Sequence, residues 1–253
     1  MYFCLLMKDC IIIIPTYNEK ENIAKIIPYT LHLSDRFEVL IIDDGSPDGT
    51  AQIVKEMMLQ FPNKIHIIER SGKLGLGTAY ITGFKWALEN GYSYIFEMDA
   101  DFSHPPEKLL ELLDACENKG AQLSIGSRYI KGGGVVNWPF DRLFLSWFAS
   151  IYVRIVTGMR IKDTTAGFVC YSNAILQQID LNKIKFVGYA FQIEMKFAVW
   201  LTASKIIEVP IVFKDREVGT SKMNGSIIQE AVLGVIKMKW QSLKNNYFYS
   251  KLN

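Results

Sequence analysis

The chain has 253 residues, 49% of them hydrophobic, and a formal net charge of +2. A chain of this length and apolar content buries a sizeable core, so a single domain over 1–253 is the simplest organisation. The near balance of charge, without a run of Lys or Arg, argues against nucleic acid as a partner, and the scattered Cys4, Cys10, Cys116 and Cys170 fit reduced thiols better than a disulfide or zinc framework.

Met1–Met7 is apolar but too short for a signal segment, and Lys8-Asp9 interrupts it. Cys10–Ile14, closed by Pro15, reads as a buried strand. Asn18 with Glu21 resembles a helix cap, and Ile23, Ile26 and Ile27 carry helical spacing to about His32. Val39–Ile42 is a second strand, stopped by the turn Asp43-Asp44-Gly45-Ser46-Pro47-Asp48-Gly49. Helices are predicted over Thr50–Phe61, Gly77–Asn90 and Leu109–Lys119, and strands over Ile65–Ile68, before Asp99, and over Ala121–Ser127. The alternation is that of an α/β protein whose mostly parallel sheet is flanked by helices. Beyond Arg128 it loosens. Gly132-Gly133-Gly134 reads as a joint, Ala174–Ile179, Gln192–Ala203 and Ile227–Trp240 as helices, and Ile206–Phe213 as a strand.

Tyr94–Glu107, YIFEMDADFSHPPE, carries the clearest chemistry. A buried strand ends in Asp99-Ala100-Asp101, and in an open α/β sheet ligands bind beyond the carboxyl ends of the strands. Two carboxylates one residue apart in a desolvated cleft call for a cation, and hard oxygen ligands favour Mg²⁺ or Mn²⁺ shared with substrate phosphates. An acidic turn capping the next helix is the plainer alternative. Asp43-Asp44 ends a parallel strand on the same edge, where a carboxylate accepts hydrogen bonds from a ribose or base and Tyr17 offers a ring. Gly72-Lys73-Leu74-Gly75-Leu76-Gly77 matches neither a phosphate-binding loop nor a dinucleotide fingerprint and reads as a close turn. Arg128, Arg216 and Lys222 would form the cationic half of the site, closing on a leaving diphosphate.

Trp138–Met159, WPFDRLFLSWFASIYVRIVTGM, sets Phe144, Trp147, Phe148, Ile151, Tyr152 and Ile155 at helical spacing. A helix of about seventeen residues is roughly 25 Å long, short of the ~30 Å hydrocarbon core. With Arg154 in mid-span, lying in the membrane interface is favoured over crossing it. A core or dimer helix is the competing reading.

Taken together, IIPTYNEKENI (13–23), IIDDGSPDGT (41–50), MDADFSHPPE (98–107), GSRY (126–129), DTTAGF (163–168), GYAFQIEM (188–195) and EVPIVFKDREVGTSK (208–222) resemble the family-2 glycosyltransferases of the glycosyltransferase-A fold, and within them the polyprenol-phosphate (dolichol-phosphate) mannosyltransferases. By position the resemblance implies Pro15, Tyr17, Glu19, Ile42 and Asp44 around the guanosine of GDP-mannose. It implies Asp99, Ala100 and Asp101 at the metal and diphosphate, Ser103 at a third metal-facing position, and Arg128, Arg216 and Lys222 at donor and acceptor phosphates. Some members carry Gln where Ser103 stands, and many carry Arg where Val169 stands. The implied reaction is inverting transfer of mannose to a polyprenyl monophosphate by a cytoplasmic protein held on the inner membrane face through 138–159. Rival readings are another donor such as UDP-glucose, or transfer to a glycan hydroxyl with Asp163 or Glu194 as the base. A non-catalytic nucleotide sensor is a third.

Overall fold

Alternation of side chains along the β-branched runs sorts the core into two layers. The computed structural model describes residues 8–188, 190–214 and 225–243. Strand β1 (Lys8–Thr16) lies between β2 (Phe37–Asp43) and β4 (Tyr92–Glu97), parallel to both, and β3 (Ile65–Glu69) extends the sheet beyond β2. On β1, Ile11 and Ile13 face one layer while Cys10, Ile12 and Ile14 face the other, as a period of two requires. Helices α1 (Lys20–Leu33), α2 (Thr50–Gln60) and α4 (Leu109–Glu117) cover the second face. The first face is covered by α3 (Leu76–Glu89) and by α7 (Ala190–Leu201), whose residues Ala190 to Val199 are all buried. Gly83 lets α3 approach β1 closely, since a Cβ there would stand 2.7 Å from Ile13.

The full seven-stranded sheet runs β3-β2-β1-β4-β7-β5-β8, with β5 at Leu123–Ser127, β7 at Val169–Ser172 and β8 at Ile206–Pro210. Strand β7 is not among the predicted elements, and nor is the short β6 (Gly134–Val136). Strand β7 is antiparallel to both β4 and β5, and its residues, three of the four buried in succession, carry no alternation by which to recognise them. The predicted strand Ile206–Phe213 is two strands. It breaks at Ile211, and β9 (Val212–Lys214) leaves to pair with β6 (Gly134–Val136), so the triple-glycine joint feeds a small second sheet. Asn18 is not a helix cap. It sits in the left-handed region at φ 60°, its N–H donates to Ser46 Oγ at 3.0 Å, and Glu19 takes the N-cap position of α1.

The predicted amphipathic helix is α5 (Phe140–Thr157), packed against α8 (Gly225–Ser242). Its inward face is of small side chains, with Ser150, Val153 and Thr157 buried. Its aromatic face points out: Phe144 is 55% exposed, Trp147 47% and Phe148 56%. Among the described residues no helix is long and apolar enough to cross a membrane.

Candidate active site

Strands β1, β2 and β4 are parallel and in register, so Thr16, Asp43 and the residues after Glu97 emerge on one sheet edge. The two aspartates ending β2 have separate duties. Asp43 is buried and accepts from Thr16 Oγ1 at 2.9 Å, the Ser46 N–H at 2.9 Å and Ser46 Oγ at 2.6 Å, holding the turn closed. Gly45 completes that turn at φ 70°, where a side chain would be strained. Asp44 pairs with Arg70, at the end of β3: Nε and Nη2 both reach Oδ1, at 2.6 and 2.5 Å. Arg70 also donates to Thr78 Oγ1 at 2.7 Å, which ties the glycine-rich turn of residues 72–77 to the strand ends. Within that turn the Lys73 ammonium lies 5.0 Å from the centre of the Tyr17 ring. The turn borders Tyr17 and Asp44, although neither of its failed motif matches pointed there.

The acidic loop after β4 is held from behind by His104. This imidazole is buried and stacked on Phe168, ring centres 5.1 Å apart, and its Nδ1 accepts the Asp99 N–H at 3.1 Å. An accepting Nδ1 places the ring proton on Nε2. Burial pulls the His104 pKa down to about 4, against the pull of Asp101, so the ring is neutral at pH 7. The same loop folds back on itself through the Ser103 N–H to Asp101 Oδ1 at 3.1 Å, with Phe102 at φ 59°. Ser103 is 3% exposed whereas the Asp99 side chain is 38% exposed.

Asp99, Asp101 and Ser103 open onto a cavity of about 480 Å³. Arg128 lines it too, but its guanidinium is engaged by Asp163: Nε to Oδ2 at 2.7 Å, Nη2 to Oδ1 at 2.6 Å, and the Arg128 N–H to Oδ2 at 2.9 Å. Burial alone would raise the Asp163 pKa, but Arg128 outweighs it and keeps the carboxyl below its ordinary range. The far wall is largely apolar, built from Leu145, Phe148 and Tyr152 of α5 with Val232 and Val235 of α8. Arg142 and Ser146, also on α5, stand on that wall, and Ser146 accepts from the Tyr129 hydroxyl at 2.8 Å.

A buried polar group reaches the cavity wall at Gln192 and Ala166. Gln192 donates to Glu97, and Lys196 donates to the Ala166 carbonyl and to Gln192 Oε1 at 3.2 Å. Burial pushes the Glu97 pKa up and the Lys196 pKa down. By joining α7 to residue 166, this network fixes the segment that carries Asp163.

The structure therefore brings Asp99, Asp101, Ser103 and Arg128 to one cavity. Tyr17, Glu19 and Asp44 stand on the same sheet edge outside its lining. Ile42 is wholly buried in the core, so of this residue only the backbone remains to meet a ligand, and Ala100 is 4% exposed. Arg216 and Lys222 lie outside the described residues. Among those that are described, no cluster of three His, Cys, Asp or Glu side chains could hold a metal ion. Two adjacent carboxylates at a cavity rim still suit a divalent cation that takes its remaining ligands from substrate oxygens and water. Sequence reasoning missed Arg70, His104 and Arg142. The first two had a signal: a basic residue at a strand end, and an imidazole inside the acidic motif.

Residues 11–184 match the model of Glycosyl transferase family 2. The chain belongs to that family. Polyprenol monophosphomannose synthase of Mycolicibacterium smegmatis is 47% identical over 89% of this chain and 84% of its own length. Undecaprenyl-phosphate mannosyltransferase of Micrococcus luteus is 44% identical over 92% of this chain and 96% of its own. Dolichol-phosphate mannosyltransferase of Pyrococcus furiosus is 37% identical over 91% of this chain, which spans 64% of that protein. These similarities bear out the resemblance carried by the seven motif blocks. Among solved structures, glucosyl-3-phosphoglycerate synthase from Mycobacterium tuberculosis, in complex with Mn²⁺, UDP and phosphoglyceric acid, superposes with a TM-score of 0.63 at 16% identity, covering 91% of this chain and 77% of that one. That likeness speaks for the fold, and it agrees with the mostly parallel, helix-flanked sheet expected of this family 2 enzyme.

Proposed function

We propose that this glycosyltransferase moves mannose from GDP-mannose to a polyprenyl monophosphate, with inversion at the anomeric carbon, on the cytoplasmic face of a membrane. One observation carries the reading: a single cavity runs from the acidic loop at Asp99 and Asp101 to an apolar wall made by α5 and α8. A lipid bearing a phosphate needs both ends, whereas a glycan acceptor has no use for the second. The names of the M. smegmatis, M. luteus and P. furiosus relatives point the same way.

Asp99 and Asp101 would hold Mg²⁺ or Mn²⁺, which supplies charge neutralisation for the departing diphosphate. Asp44 and Tyr17 are suited to the nucleoside, through a carboxylate oxygen and an aromatic face. Asp44 Oδ2 is left to accept from a ribose or base because Arg70 converges on Oδ1. Arg142 and Ser146 offer a cation and a hydroxyl to the acceptor phosphate. That phosphate is already anionic, its second pKa being about 6, so its oxygen attacks the anomeric carbon as the bond to GDP breaks, without a protein base. Neither carboxylate that could serve a hydroxyl acceptor as base lines the cavity, and both are buried and bonded elsewhere. Asp163 holds Arg128, and Glu194 Oε2 accepts the N–H groups of Lys185 and Phe186 at 2.8 and 2.9 Å. The outward aromatic face of α5 supports contact with the membrane interface.

The test is incubation of the purified chain with radiolabelled GDP-mannose, Mg²⁺ and a short polyprenyl phosphate. Label should enter the organic phase, and unlabelled UDP-glucose should not compete. Asp101→Ala should lower turnover about a thousandfold or more, the scale of losing a principal electrostatic group. Label that stays water-soluble with wild-type protein would remove the proposal.

A further inference from the structure

Two guanidinium groups at the cavity share one aromatic ring. The Trp138 ring centre lies 4.2 Å from the Arg142 guanidinium carbon and 5.3 Å from that of Arg128. Phe213 meets the same indole edge-on, ring centres 5.3 Å apart. Trp138 Nε1 is buried without a hydrogen-bond partner, so the side chain is retained there for its ring rather than for its N–H. The backbone aims this ring. Asn137 is in the left-handed region at φ 64° and Pro139 N-caps α5, while a residue preceding proline is kept out of the helical region. Asparagine is one of the few non-glycine residues that enters this region readily, so the turn before the ring is well defined.

Arg142 follows Asp141 in the chain. It stands in the first turn of α5, an eighteen-residue helix, where the macrodipole disfavours a cation. A cation and a helix N-terminus set together at a cavity rim both favour an anion. The Arg128 charge is matched by Asp163, bonded through both carboxylate oxygens. We infer that Trp138 is a positioning residue, whose ring holds the Arg142 guanidinium at the cavity for the phosphate of the acceptor. This inference rests on the proposal that the acceptor is a polyprenyl phosphate.

The experiment is a mutant cycle on the full chain in detergent, with W138L, W138F, R142A and W138L/R142A. Calorimetry with a short polyprenyl phosphate reads acceptor affinity, and calorimetry with GDP-mannose reads donor affinity. W138L should weaken acceptor binding about tenfold, the scale of a desolvated cation–π contact. W138F, which keeps a ring, should lose no more than about threefold. In the R142A background W138L should cost nothing further, and donor affinity should stay within about twofold throughout. Additive losses, or donor affinity falling in step with acceptor affinity, would overturn the role. Should W138L not fold, the smaller loss in W138F must likewise vanish beside R142A. If wild-type protein binds no polyprenyl phosphate, the transferase proposal fails instead. The positioning role is then decided by melting temperatures of the same proteins, where additive shifts refute a Trp138–Arg142 contact.

Discussion

Two buried arginine–aspartate pairs flank the acidic loop, and they are built differently. In Arg128–Asp163 both carboxylate oxygens are taken, a backbone N–H adds a third bond, and the rings of Tyr129, Trp138 and Phe213 lie within 5.7 Å of the guanidinium. In Arg70–Asp44 two N–H groups converge on one oxygen. In the first pair the carboxylate is filled on both oxygens and serves as architecture. The second spends half of its carboxylate and keeps the rest for a ligand. Burial is nearly the same for the two arginines, so the difference lies in geometry rather than in desolvation.

The sharpest way to break this comparison is to remove one acid from each side. Asp163→Ala leaves the Arg128 charge buried without its counter-ion, and should cost about 3–5 kcal/mol in urea unfolding. If Asp163→Ala unfolds at the wild-type midpoint, Arg128 is not held as the geometry requires. A somewhat smaller effect, about 3 kcal/mol, should come from His104 and appear as a pH dependence. Burial lowers its folded pKa to about 4 from the ordinary 6.5. The unfolded chain therefore binds this proton first on acidification. The stability due to His104 is complete above pH 6.5 and is lost as pH falls toward 4. Unfolding free energies at pH 7 and pH 4.5 should differ, and His104→Gln should narrow the gap. An unchanged gap would mean that the imidazole is charged behind the loop.

Asp44→Asn sharpens the functional half of the comparison. The amide oxygen can still accept from Arg70, but the guanidinium loses its counter-ion, so stability should fall by about 1–3 kcal/mol, less than for Asp163→Ala. The lost charge facing the nucleoside should raise the KM for GDP-mannose about tenfold, the scale of one charge-assisted hydrogen bond. A loss of stability without a change in KM would make Asp44 an architectural residue like Asp163.

How much of this was legible beforehand depended on whether the signal was local. The strands β1 to β4 and the acidic loop are announced by contiguous runs such as Ile11–Ile14 and Asp99-Ala100-Asp101, and they stand where those runs placed them. Strand β7 was not legible. Its four residues enter the sheet only because Phe96 and Ser124 flank Cys170 from distant parts of the chain. Likewise nothing near Arg128 in sequence names Asp163, thirty-five residues away, as the partner that occupies it. Arg142 looked like one more charge on an amphipathic helix until the fold brought α5 over the acidic loop. Charge at a strand end can be read from sequence, but what neutralises it is a tertiary fact.

The smallest expected effect concerns the outward face of α5. In α7 every residue from Ala190 to Val199 is buried, so its apolar content is spent on the core. In α5 the core takes Ser150, Val153 and Thr157 while Phe140, Phe144 and Phe148 stack outward along one ridge, ring centres 6.4 and 6.0 Å apart. A ridge of exposed aromatic rings beside an apolar cavity wall is hard to reconcile with a purely structural helix. Trp147→Glu should therefore leave the unfolding midpoint nearly unchanged, because the side chain is 47% exposed. It should reduce co-flotation with vesicles of anionic phospholipid about fivefold to tenfold, as the indole no longer enters the interface. Loss of stability with undiminished flotation would assign the ridge to packing. Acceptor capture would then depend on the cavity wall alone, and turnover with a water-soluble short-chain acceptor should match turnover with a long one.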